Sequence, residues 1–189
     1  MSLEQYVNDL EELVRKVDPS EVEDLIDELT AAYDEGRMVY LIGNGGSGAN
    51  ASHICEDLGK GTLHDFENQK RLRVLSLTDN TAYILAWAND TSYDRIFVEQ
   101  LKNLGEPGAL LVAISGSGNS PNILKAVEYA NAHGMKTFGI TGYDGGALKK
   151  MAHKCMHVPS FNMGAVESVH VIYFHYILDT LYERFKNRS

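Results

Sequence analysis

Two glycine- and serine-rich segments, Gly43-Asn44-Gly45-Gly46-Ser47 and Ser115-Gly116-Ser117-Gly118-Asn119-Ser120, have the composition of an anion site. Glycine lets a backbone approach its ligand closely, and free N–H groups and a following helix dipole favour negative charge. Seryl hydroxyls add further donors. Capping accounts for one serine in each segment, Ser47 at the start of the next helix and Ser120 before Pro121. It leaves Ser115, Ser117 and the crowded glycines unexplained, and two such loops at equivalent places point to phosphate. Neither is a P-loop, since no Gly-Lys-Ser/Thr follows, and neither fits a dinucleotide fingerprint.

Acid–base candidates lie elsewhere. His53 and Asp57 are four residues apart on a helix-like stretch and share a face, with Glu56 as the neighbouring alternative. Such a pair can hold a metal or move a proton, or simply be a surface hydrogen bond. Near the carboxyl end, Glu167, His170 and His175 interrupt an otherwise apolar run, and burying them costs several kcal/mol unless they are partnered. Glu167 and His170 are one turn apart, whereas Glu167 and His175 are ~12 Å apart along a straight helix. Spacing therefore favours His170 as the partner of Glu167. Asn89-Asp90 ends a helix-like stretch with Trp87 and reads as a turn or a cap or as a weaker site candidate, and Thr141 through Gly146 as a tight turn or another ligand loop.

The elements needed to position these groups follow a β-loop-α rhythm. Apolar runs predict strands near 38–42, 73–77, 109–114, 136–140 and 155–158. Helices are predicted near 47–58, 79–88, 92–104, 121–133, 145–151 and 165–186. Two helices precede them. The first runs from Leu3 to Val17, and the second starts at Asp18-Pro19 with Glu21 completing a capping box and ends near Gly36. The expectation is a three-layer α/β/α sandwich with a five-stranded parallel sheet of flavodoxin-like nucleotide-binding topology. Gly59 to Arg71 is polar and irregular, a surface excursion near the first loop. The last helix is apolar nearly all round, from Val166 to Leu181, which fits a core or a subunit interface and predicts a homo-oligomer.

Composition narrows the partners. The 189 residues suit one domain, and the net charge is −9 with no dense basic run, which argues against nucleic acid and anionic membranes. No apolar stretch approaches the ~20 residues that span a bilayer. The start, Met1-Ser2-Leu3-Glu4-Gln5, lacks a signal peptide's basic and apolar regions, so a soluble cytoplasmic protein is expected. Cys55 and Cys155 lack metal-type spacing and read as free, reduced thiols.

Taken together these residues resemble the sugar isomerase (SIS) domain family over nearly the whole chain, and within it the phosphoheptose isomerases. The motifs that carry the resemblance are the two Gly/Ser loops, Trp87-Ala88-Asn89-Asp90, Thr141-Gly142 with Gly145-Gly146, and Val166-Glu167-Ser168-Val169-His170 continuing to His175. The resemblance implies one SIS domain over 1–189 in a cytoplasmic homotetramer. Residues 1–36 serve assembly, and sugar-phosphate sites lie between subunits. It implies phosphate held by Ser115, Gly116, Ser117 and Ser120, and sugar lined by Asn44, Gly45, Gly46, Ser47, Asn89 and Asp90. Zinc, or another divalent metal, falls to His53, Asp57, Glu167 and His175. The implied reaction turns sedoheptulose 7-phosphate into D-glycero-D-manno-heptose 7-phosphate, with Asp57 or Glu167 as base and His175 as acid. Three positions depart from the family pattern: Asp57 stands for Glu, Glu167 for Gln, and Gly164 for Asp. These departures keep two alternatives open, an isomerase of another sugar phosphate and a non-catalytic SIS module that binds a phosphosugar or a protein such as a replication initiator.

Overall fold

A computed structural model describes residues 2–186 and 188. Five strands, β1 (Met38–Gly43), β2 (Arg73–Ser76), β3 (Leu110–Ser115), β4 (Lys136–Thr141) and β5 (Lys154–His157), form one parallel sheet ordered β2-β1-β3-β4-β5. The register sets Leu41 beside Ser76 on one side and Val112 on the other, and Ser115 beside Thr141. Alternation along each strand divides the interior. Val39, Leu41, Leu110, Val112 and Ile114 enter one core, and Tyr40, Ile42, Leu111 and Ala113 the other. Strands apolar on both faces need helices on both faces.

The first core is covered by α1 (Leu3–Lys16), α2 (Pro19–Glu35), α3 (Gly45–Glu56) and α8 (Met163–Lys186). The second is covered by α4 (Thr81–Asp90), α5 (Val98–Leu104), α6 (Pro121–Ala132) and α7 (Leu148–Met151). Chain order reverses between β1 and β3, which opens a crevice beyond their carboxyl ends. Both Gly/Ser loops lie there, one after each strand.

Five local expectations change. The N-cap of α3 is Asn44, not Ser47, and α3 runs on into a π-helical turn, Asp57–Gly61. Ser120 does sit at the N-cap of α6, but its side chain makes no capping bond. The stretch 92–104 divides into a 3-10 turn, Tyr93–Arg95, and α5. The helix expected from 145 begins only at Leu148, because Gly145 and Gly146 sit at positive φ (88° and 56°). Asp18 does cap α2 through the Ser20 N–H. Glu21 instead reaches across the fold to accept from the His157 N–H at 2.8 Å, so the capping box does not close.

Candidate active site

The crevice contains a cavity of about 290 Å³ walled by the two loops. Asn44, Gly45, Gly46 and Ser47 face it from one side, Ser115, Gly116, Ser117 and Ser120 from the other, and Met163 and Glu167 of α8 close it. The Ser115 and Ser120 hydroxyls lie 3.3 Å apart. Gly45 adopts φ +52°, a left-handed turn that swings the chain from β1 into α3. Gly46 serves a different need: any side chain there would collide with the Glu167 carboxylate. All eight predicted loop residues therefore line one concave, donor-rich space. A second cavity of about 300 Å³ lies on the β2 side of the first loop, with Asn44, Gly45, Ser52, Thr78 and Tyr93 over Ile96 and Phe97.

Farther along α3, three of the four expected metal ligands converge. His53 Nε2 is 3.4 Å and His175 Nε2 3.8 Å from the same oxygen, Asp57 Oδ2. The ligand atoms of all three lie within 4.8 Å of one another, and the two imidazole rings meet edge-on at 5.3 Å. Asp57 is the most enclosed of the three. Burial raises its pKa above the usual carboxylate value; His53 and His175 oppose that rise, and neighbouring Glu56 adds to it. The π turn begins at this residue, a local widening that recurs where helices carry function.

Two residues stand apart from that cluster. Glu167 does not reach it, because its carboxylate rests over Gly46 in the loop cavity, some two turns of α8 before His175. His170, which spacing favoured, is fully buried and its Nε2–H donates to the Thr141 carbonyl at 3.2 Å. It is a core residue. His175 is the imidazole at the site. Asn89 and Asp90 are exposed, bond to each other at 2.8 Å, and line neither loop cavity. Cys55 and Cys155 are free, and burial pushes both thiols up to about 11, which leaves them poorly reactive.

The sequence profile of the SIS domain matches residues 5–142. The chain belongs to the SIS domain family. A probable phosphoheptose isomerase of Thermoplasma acidophilum is 36% identical over 161 residues, covering 85% of this chain and 87% of its relative. The phosphoheptose isomerase of Helicobacter pylori is 35% identical over 157 residues, covering 82% and 79%. Among solved structures, a phosphoheptose isomerase from Francisella tularensis superposes with a TM-score of 0.86 at 28% identity, covering 97% of this chain and all of that one. The profile includes both loops, His53 and Asp57. The structural likeness extends over α8 and so over Glu167 and His175.

Sequence reasoning missed one polar contact inside this SIS domain. Asn122, in the first turn of α6, is buried and paired with Asn44, and Tyr93 donates to the same Asn44 oxygen at 3.1 Å. The only local signal was a polar residue within an apolar helix face.

Proposed function

We propose that this SIS domain interconverts a ketose and an aldose phosphate, sedoheptulose 7-phosphate and D-glycero-D-manno-heptose 7-phosphate. The observation that carries the reading is the meeting of His53, Asp57 and His175 where α3 and its π turn pack on α8, two helices whose first turns also wall the loop cavity. A module that only bound a phosphosugar or a protein would have no use for that meeting. The two loops hold the phosphate through backbone N–H groups and the hydroxyls of Ser115, Ser117 and Ser120. The sugar chain then extends along α3 towards Asp57, with Asn44 to Ser47 at its flank and Asn89 and Asp90 reaching it from a neighbouring subunit.

Isomerisation needs one proton moved between adjacent carbons and one between their oxygens, with no net oxidation. Asp57 Oδ2 faces both imidazoles, which leaves Oδ1 to take the proton from C1 of the ketose. Its raised pKa makes it a better base than an exposed carboxylate. The same group returns the proton to C2, while His175 passes a proton between O1 and O2. Two imidazoles and a carboxylate suit zinc or a similar divalent ion and leave a position open. A cation held by His53, Asp57 and His175 would supply positive charge to the developing oxyanion.

We also assign the chain to a cytoplasmic homotetramer built through the amino-terminal helices, residues 1–36, and α8. Supporting this, Leu3 and Val7 of α1 and Ile172 and Tyr176 of α8 are left exposed in the isolated chain. Among the described residues no helix is long and apolar enough to cross a membrane. The test is conversion of sedoheptulose 7-phosphate by zinc-loaded protein before and after chelation. Activity that disappears with EDTA and returns with zinc is the expected result. Full activity after chelation would remove the metal from this account, and no turnover under either condition would remove the isomerase.

A further inference from the structure

The two anion loops are joined by a pair of amides, Asn122 buried and Asn44 half-buried. Asn44 Nδ2 donates to Asn122 Oδ1 and Asn122 Nδ2 donates back to Asn44 Oδ1, each at 2.8 Å, across 78 positions of sequence. Asn122 is only 2% exposed. Burying an amide is costly unless it is partnered, and an aliphatic side chain would fill this place in α6 without that cost. Ser120 makes no capping bond, so Asn122 Oδ1 also serves the Ile123 N–H in the first turn of α6, but that bond alone does not require the Asn122 NH2 to reach Asn44.

The orientation of the pair is fixed at one end by the backbone. The Ile123 N–H can only donate, and it donates to Asn122 Oδ1 at 3.0 Å. Asn122 must therefore turn its NH2 towards Asn44, and Asn44 must offer its carbonyl oxygen in return. Tyr93 OH takes the second lone pair of that oxygen at 3.1 Å. With two hydrogens and two lone pairs per amide, what Asn44 has left is an N–H donor. Asn44 lines the cavities on both sides of the first loop. A freely rotating Asn44 would present oxygen as readily as nitrogen, and oxygen repels a phosphate.

We propose that Asn122 is a positioning residue of the phosphosugar site. It locks Asn44 with its donor towards the ligand and holds the β1–α3 and β3–α6 loops at a fixed separation. The proposal rests on the phosphosugar reading above. Its test is a double-mutant cycle of Asn44→Ala and Asn122→Ala. Affinity would be read by calorimetry with inorganic phosphate, kinetics with sedoheptulose 7-phosphate, and folding by melting temperature. Asn122→Ala is expected to weaken phosphosugar use about tenfold, mainly through KM, and to add no more than about twofold once Asn44 is already alanine. Tyr93→Phe, which removes one bond at an exposed ring, should weaken it about threefold in the wild-type background and not at all beside Asn44→Ala. Two results overturn the proposal: an Asn122→Ala protein that melts earlier but keeps wild-type KM, or effects that simply multiply. If Asn122→Ala does not fold, the Tyr93–Asn44 cycle decides, and multiplying effects there overturn it. A wild-type protein that binds neither probe overturns the phosphosugar reading instead.

Discussion

Glu167 places a carboxylate in a cavity lined largely by glycines and serines. It can lie there only because residue 46, 121 positions earlier, has no side chain. No local pattern in the sequence reveals that. Spacing and family resemblance both assigned Glu167 to histidines further along the helix. His53 and Asp57 were legible because four residues of one helix put them on one face; His175 joined them through packing of α3 against α8. Glu167 has a measurable electrostatic consequence. At the separations inside such a cavity, two like charges repel by on the order of 1 kcal/mol. Glu167→Gln is therefore expected to lower the Kd for inorganic phosphate about fivefold, as measured by calorimetry near pH 7.5. Unchanged or weaker binding would mean that the carboxylate helps to hold the ligand.

At the scale of elements, α8 is tied to the sheet by a histidine that the site does not use. Burial, helped by the nearby His157, pushes the His170 imidazole down to about 4, against the raising effect of its bond to the Thr141 carbonyl. The unfolded chain takes up this proton near pH 6.5, whereas the folded chain resists until about 4. Stability is therefore full above pH 6.5 and falls between 6.5 and 4, by up to roughly 3 kcal/mol from this residue. His157, also lowered by burial, adds to the same slope. Thermal melts of the wild type and of His170→Leu from pH 7.5 to 4 would check this: the wild type should lose more of its melting temperature than the variant does. Equal slopes would show that α8 is not the acid-sensitive element. Strands β1 and β3 were the most readable because each is a short apolar run closed by glycine or serine. Helix starts were less so, since the amide of Asn44 is drawn into a long-range pair and Glu21 into a bond with β5.

At the scale of the molecule, a strand order of β2-β1-β3-β4-β5 places both loops at the one point where the sheet changes direction. The sequence supplied the parts, because two strand–Gly/Ser–helix units of the same kind imply equivalent places on a parallel sheet. The strand order is the one the expected flavodoxin-like topology carries. From that arrangement we infer that phosphate is held at the switch point and that proton transfer occurs farther along α3. That inference is tested most directly by incubating sedoheptulose 7-phosphate with zinc-loaded protein in D2O. The wild type should yield aldose carrying one deuterium at C2 and return ketose labelled at C1, and Asp57→Asn should do neither while still binding phosphate. A wild-type protein that binds the sugar phosphate but leaves it unconverted and unlabelled would contradict the account, as would an Asp57→Asn variant that labels it at the wild-type rate.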